Sequence, residues 1–450
     1  MLTFLRGKGR LTPARIILLG FLLPILLGAV LLSLPIASRE RIFIPFDEAL
    51  FTAVSATCVT GLVVHDTWQY WSFFGQAVIL LLIQVGGMGV VTMAVCISIF
   101  TGRKIGLRQR CVMQESISAP QVGGIVRLTG FILRTTLALE GAGALLLSFR
   151  FCSRYGPLKG IWYAVFHSVS AFCNAGFDLC GQEGAYSSLT GYAPDPLVNL
   201  TVILLIITGG IGFFVWNDLR EHRLRFHLYR LQTKLVLVTS LLLILIPALY
   251  FFFYEFRLPQ WAGMPLGERL LASLFQAVTP RTAGFNTEDL TRLSTPSVLL
   301  TILLMLVGGS PGSTAGGVKT TTLAVLILCV RAVFEGRDSI QGFHRRLPPE
   351  ILRSAVTVLM LYMALFLTGG IIICQADGVP LMAALFEAAS AIGTVGLTLG
   401  ITPGLGGVSR GVLMALMYFG RVGGLTLIYA VASGRQPAPA QMPQEKITIG

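Results

Sequence analysis

Eight apolar runs, each of a length that matters to a lipid bilayer, recur from one end of this sequence to the other. They are Ile16–Ser38, Phe73–Phe100, Ile125–Leu147, Leu197–Trp216, Leu235–Phe253, Val298–Val330, Ala355–Ile373 and Val412–Ala432. A helix needs about 20 predominantly apolar residues to cross the hydrocarbon. The runs therefore predict an all-α membrane protein with eight transmembrane helices. Composition agrees. Only 12% of the 450 residues are charged and 54% are hydrophobic, where a soluble domain carries about 25% charged residues. The first run is too long and wrongly flanked for a cleaved signal peptide, and more spans follow it.

A net charge of +13 invites a nucleic-acid reading. The placement of the charge argues against it. Lys and Arg gather at the N-terminus (Arg6, Lys8, Arg10, Arg15) and then in alternate connections. Those connections hold Arg103, Lys104, Arg108, Arg110 and Arg127; then Arg220, Arg223, Arg225, Arg230 and Lys234; then Arg331, Arg337, Arg345, Arg346 and Arg353. This is the positive-inside pattern of a multi-pass protein, and with eight spans it puts both termini in the cytoplasm. The partner it predicts is a lipid bilayer and no nucleic acid. The cysteines show no CxxC and no Cys/His spacing for a metal. Cys152 and Cys180 fall on the predicted outer side, where a disulfide is an open alternative.

Between successive pairs of runs lies a shorter segment of one recurring pattern. It reads ALFTAVSATCVTGLV from Ala49, AVFHSVSAFCNAGFD from Ala164, SLFQAVTPRTAGFN from Ser273 and ALFEAASAIGTVGLT from Ala384. Phe51, Phe166, Phe275 and Phe386 align near the start, and Gly61, Gly176, Gly284 and Gly396 near the end. Each segment begins as an apolar helix too short to span and continues as an extended stretch. Non-helical backbone at membrane depth survives only where protein buries it or where it lines a watery cavity. The expected unit is thus span, pore helix, filter loop, span. Four tandem units arranged pseudo-fourfold around one central pore use all eight runs. The units are expected at 16–100, 125–216, 235–333 and 355–432. Cytoplasmic segments fill 1–15, 101–124, 217–234, 334–354 and 433–450. The second runs share glycine pairs at Gly86–Gly87, Gly209–Gly210, Gly308–Gly309 and Gly423–Gly424. Close helix packing is the plainer account of these, and flexibility of pore-lining helices the other.

A cation in a narrow path must exchange its water for other oxygens, and rings of backbone carbonyls can supply them. Glycine reaches the backbone angles that aim carbonyls inward. The candidate ion-binding carbonyls belong to Cys58, Val59, Thr60 and Gly61; Cys173, Asn174, Ala175 and Gly176; Arg281, Thr282, Ala283 and Gly284; and Gly393, Thr394, Val395 and Gly396. No carboxylate occurs among them, which favours carbonyl coordination over an acidic ring. His167, inside the second short helix, reads as a packed polar residue rather than a ligand.

The second run of the third unit is too long for one crossing and is interrupted by GGSPGSTAGGVKTTT (308–322). Its glycines and Pro311 cannot hold a helix. An intramembrane loop beneath the filter is expected, with Gly308, Gly309, Ser310, Pro311, Gly312, Ser313, Thr314, Ala315, Gly316 and Gly317 as its body. A P-loop is the rival reading of this stretch, but Val318 intrudes before Lys319 and no βαβ context surrounds it. No nucleotide site is expected in this chain. Lys319 and Arg421 are the basic residues best placed inside the membrane, where charge is costly and usually functional. The alternative for each is to reach the cytoplasmic interface.

These residues carry a resemblance. The loops TCVTGLVVHDT (57–67), TPRTAGFNT (279–287) and IGTVGLTLGITP (392–403) resemble those of the Trk/Ktr/HKT superfamily of potassium transporters, most nearly the membrane subunits of bacterial Ktr systems. The likeness runs from Ile16 to about Ala432. It implies that potassium is the transported ion, that Gly61 favours potassium over sodium, and that sodium can serve as an activator. It also implies that Gly308–Thr322 gates the pore and that Arg421 faces the pore as a barrier or gate partner. The implied partners are a second copy in a homodimer and a cytosolic ring of nucleotide-binding regulatory subunits (KtrA-like). The ring would dock on the basic loops and the tail. The implied location is the plasma (inner) membrane. Cys58, Cys173, Asn174 and Pro280 depart from the family's usual loops. The rival function is a secondary carrier working by alternating access, but carriers of that kind show inverted repeats, and these units share one orientation. An enzyme is not expected, since no catalytic motif occurs.

Overall fold

The computed structural model describes residues 13–89, 125–223 and 225–424, with the isolated positions 92, 93, 110–112, 114 and 426. The basic N-terminus, much of the first basic connection, Cys96 and the tail lie outside the described residues.

Two kinds of apolar helix alternate along the chain. Pro13–Ser33, Ile125–Tyr155, Leu231–Arg257 and Pro349–Asp377 are each long and apolar enough to cross a membrane. They are the first helices of the four repeats. They expose rows of apolar side chains, Leu23, Leu27, Leu145, Leu241, Ile246 and Met360 among them. Such surface is stable against hydrocarbon and not against water. The second helices are shorter: Phe73–Met88, Pro196–Ile211, Thr295–Leu306 and Gly407–Val422. Three of them stop at a glycine with left-handed φ: Gly89 (84°), Gly212 (100°) and Gly423 (90°). After Gly212 the chain turns by 94° into Phe213–His222, and that bent pair would make a fifth crossing. The expected second spans are therefore broken where the sequence read them as continuous. Glycine is the residue that takes positive φ without a Cβ penalty.

The glycine pairs need one correction. Gly86, Gly209 and Gly420 are the equivalent close-packing positions. A Cβ on any of them would strike the last carbonyls of that repeat's short helix, at Thr57, Phe172 and Ile392 respectively. In the fourth repeat the packing glycine is thus Gly420, three residues before the predicted pair. Gly423 instead corresponds to the helix-ending Gly89 and Gly212. Gly308–Gly309 lies beyond the helix that ends at Leu306, in the loop.

The short helices are Phe46–Thr57, Pro157–Phe172, Leu266–Val278 and Leu381–Gly393. The longest has 16 residues, about 24 Å at 1.5 Å per residue and less than a bilayer core. Each packs on the first helix of its own repeat. The second helices then link the repeats in order. Phe73–Met88 packs on Pro157–Phe172, Pro196–Ile211 on Leu266–Val278, and Thr295–Leu306 on Leu381–Gly393. Gly407–Val422 returns to Phe46–Thr57. The last repeat so closes on the first.

Candidate functional site

The four loops after the short helices meet at the centre of this closed arrangement. Their backbones follow one recipe. The glycine of each has positive φ: Gly61 (92°), Gly176 (69°), Gly284 (81°) and Gly396 (94°). So does the residue two before it: Val59 (57°), Asn174 (58°), Thr282 (70°) and Thr394 (52°). A non-glycine residue with positive φ is uncommon, and its recurrence at one register in four loops marks a backbone held by its surroundings. The glycines also touch in sequence. A Cβ on Gly61 would clash with the carbonyl of Ala175, on Gly176 with that of Ala283, on Gly284 with that of Val395, and on Gly396 with that of Thr60. Each glycine leans on the loop of the next repeat, and the fourth leans on the first.

Sequence reasoning missed what holds this backbone. A hydroxyl residue at the end of the short helix, Ser55, Ser170, Thr279 or Ser390, accepts at its carbonyl from the residue just before the glycine: Thr60 N at 2.8 Å, Ala175 N at 2.8 Å, Ala283 N at 3.0 Å and Val395 N at 2.8 Å. The side chains help in two ways. Ser55 Oγ accepts from Gly61 N at 3.1 Å, and Ser390 Oγ accepts from Gly396 N at 3.0 Å. Ser170 Oγ and Thr279 Oγ1 donate instead to the carbonyls of Phe177 and Phe285. The signal was present in the aligned segments as a Ser or Thr four residues after the phenylalanine. The third segment lacks one residue between this hydroxyl and its glycine, and the loss is absorbed in the turn: Ala283 bonds back four residues where the other loops span five.

Two of the unusual loop residues, Cys173 and Asn174, turn their side chains to protein partners. Cys173 turns its thiol away from the loops, toward Glu140 at 3.8 Å and Gln84. Glu140 is a buried carboxylate of the second repeat's first helix that sequence reading did not single out. Asn174 pairs with Thr282 Oγ1 of the next loop at 3.3 Å. Arg281 is a third basic residue inside the protein besides the two expected. It is 7% exposed, and its guanidinium reaches Ser240 Oγ at 3.0 Å on the first helix of its own repeat. Thr60 Oγ1 and Thr394 Oγ1 are buried without a hydrogen-bond partner. Cys152 and Cys180 are free thiols, so no disulfide joins them. Outside the spans, burial and then the Glu268 carboxylate push the Glu288 carboxyl up to about 7.

Directly against the loops lies the irregular stretch from Val307 to Lys319. It opens and closes on itself, with Gly308 N on Val318 O at 2.9 Å and Thr320 N on Gly309 O at 3.1 Å. Its remaining bonds go to the broken ends of other second helices. Ser310 N reaches Gly210 O at 3.0 Å, Phe213 N reaches Gly312 O at 2.8 Å, and Gly317 N reaches Gly420 O at 3.3 Å. Thr314 Oγ1 donates to Phe172 O at 3.1 Å, at the end of the second short helix. Arg421 completes the lacing. Its guanidinium donates to Thr314 O in the stretch and to the carbonyls of Gly86 and Gly87 in the first repeat. Lys319 Nζ folds back on the stretch, 2.8 Å from Ala315 O. Both cations are half-buried and held by carbonyl oxygens, with no carboxylate partner among the described residues. Below the stretch is a cavity of about 180 Å³ lined by Gly87, Gly312, Lys319, Tyr362 and Arg421 among others.

Residues 32–438 match the model of the TrkH family, described as cation transport protein. The chain is 40% identical over 428 residues to Ktr system potassium uptake protein B of Bacillus subtilis, covering 95% of this chain and 94% of that one. It is 37% identical to the potassium/sodium uptake protein NtpJ of Enterococcus hirae, covering 99% of each. The crystal structure of the potassium transporter TrkH from Vibrio parahaemolyticus superposes with a TM-score of 0.72 at 20% identity, over 94% of this chain and 85% of that one. A match to a family model over this much of the sequence places the chain, a membrane protein by its apolar helices, in the TrkH family of cation transport proteins.

Proposed function

We propose that this chain is the potassium-conducting membrane subunit of a Ktr/Trk-type uptake system. The observation that carries the reading is the cycle of four glycines, each in contact with a carbonyl of the next loop. Four equivalent carbonyl strands around one axis can replace the hydration shell of a monovalent cation with oxygens of weak field. In this reading the units 16–100, 125–216, 235–333 and 355–432 stand pseudo-fourfold about one pore. The filter is Cys58–Gly61, Cys173–Gly176, Arg281–Gly284 and Gly393–Gly396. The free hydroxyls of Thr60 and Thr394 add oxygens there. The broken second helices count as four further crossings, and both termini are cytoplasmic.

The stretch Gly308–Thr322 is the gate, and Arg421 is the pin that holds it shut. A loop bonded to the second helices of repeats 2 and 4, and pinned to repeat 1, moves only when those helices move. The family's partners, a second copy of the chain and a KtrA-like ring of nucleotide-binding subunits, would supply that movement from the cytoplasmic side. Sodium, which appears in the name of one relative, is the ion to compare. The test is flux of potassium, rubidium and sodium into liposomes holding the purified protein, with and without the ring. Potassium and rubidium entry well above sodium supports the filter. Equal entry overturns its selectivity. No entry even with the ring overturns the pore and favours a carrier.

A further inference from the structure

We propose that His167, Asp178 and Cys180 form a binding site for a borderline-soft divalent cation of the zinc class, just beyond Gly176. One ligand atom from each side chain lies within 4.8 Å of the other two. His167 Nε2 and Cys180 Sγ stand 3.6 Å apart. That is the separation of a nitrogen about 2.1 Å and a sulfur about 2.3 Å from a tetrahedral zinc. The imidazole is set for this role. Its Nδ1 lies 2.7 Å from Tyr163 O. A carbonyl only accepts, so Nδ1 carries the proton and Nε2 offers its lone pair toward the thiol. The carboxylate is steadied as well, since Cys180 N donates to Asp178 Oδ1 at 2.9 Å. The other oxygen is free to turn inward.

The competing partner of Nε2 is Leu179 N at 3.3 Å, a long N–H hydrogen bond that a metal bond would replace. Imidazole with thiolate selects zinc-like ions over magnesium or calcium. Cys180 binds as thiolate, so each ion taken up releases the thiol proton. His167 and Cys180 are fully buried while Asp178 is half-buried, which makes the Asp178 side the way in. The fourth position is left to water. A bound ion would staple the strand leaving Gly176 to the short helix that carries His167.

The experiment is titration of the purified, chelator-treated chain in detergent with Zn²⁺ and with Cd²⁺, read by calorimetry, followed by X-ray absorption of the zinc-loaded protein. One ion per chain and a shell with one sulfur at about 2.3 Å are expected. Cys180→Ser and Asp178→Asn should each weaken binding by about tenfold or more, with Cys374→Ser unchanged. No saturable binding by the unaltered chain, a shell without sulfur, or undiminished affinity in Cys180→Ser would overturn the proposal. The absorption spectrum needs no variant, so it decides even if a substitution prevents folding.

Discussion

The four repeats agree at the level of the glycine loops and diverge immediately beneath it. Above, each repeat gives the same elements: a short helix, a hydroxyl residue that anchors the turn, two positive-φ positions and a glycine seated against its neighbour. Below, three second helices end at a glycine, while the third gives way to a stretch that bonds to the ends of the others. The difference has a physical logic. On the proposed function, coordination of a spherical ion needs equivalent oxygens from all sides, so every repeat is constrained alike, whereas obstructing a path needs one segment only.

The largest expected effect tests the equivalence. Gly61→Ser should reduce the preference for potassium over sodium by about tenfold, a change of about 1.4 kcal/mol, since its Cβ meets the Ala175 carbonyl at φ 92°. Gly284→Ser and Gly396→Ser should do the same, read by paired rubidium and sodium uptake. A variant that keeps full preference breaks the symmetry of the ring.

Next in size is a test of the asymmetry. Arg421→Gln removes the guanidinium that ties Thr314 to Gly86 and Gly87. Hydrogen bonds to a charged group are stronger than neutral ones, and the glutamine amide keeps only part of them. Basal rubidium flux without any partner should therefore rise several-fold. Unchanged flux means the stretch is held by its backbone bonds alone.

The anchors come third. Ser55→Ala and Ser390→Ala each leave a buried glycine N–H without its acceptor, a loss of about 1–3 kcal/mol. Ser170→Ala removes a donor to Phe177 O instead and leaves the glycine N–H untouched. Thermal unfolding in detergent should place the first two together. A Ser170→Ala variant that loses as much stability as they do would show that the two hydroxyl geometries are interchangeable.

The smallest effect concerns the residues just past the four glycines, where the repeats again differ. His65 in the first repeat reaches Glu48 at 2.7 Å, whereas Glu288, at the matching place after the third glycine, has an unpartnered buried oxygen. A carboxyl pushed up to about 7 disfavours its charged form. It lowers stability above that pH, and the loss is relieved as pH falls toward the ordinary carboxyl range. Glu288→Gln should stabilise the protein by about 1 kcal/mol after solvent screening at pH 8 and not at pH 5, read as a higher unfolding temperature. An equal gain at both values would remove the electrostatic account.

Much of this was readable in the residues. The long first helices, the short helices and the four glycines follow from hydrophobic runs and their spacing, because burial in hydrocarbon constrains every residue of a span. The boundaries of the second helices were less readable. An apolar run looks the same whether or not the helix stops inside it, and only the left-handed φ at Gly89, Gly212 and Gly423 decides that. The packing glycine of the fourth repeat was misplaced for a related reason, since Gly420 and Gly423 are alike until a carbonyl is seen against one of them.

The sequence by itself determined that the chain lives in a membrane, that it carries four like segments, and that no carboxylate occurs at the candidate positions of their loops. Those properties belong to local composition and period. Only the tertiary structure decided that the loops close into a cycle, that Arg421 spans from the Gly-rich stretch to the first repeat, and that Arg281 turns to Ser240. Each depends on atoms from segments far apart in the chain meeting within hydrogen-bond distance, and spacing along the chain carries no record of such meetings.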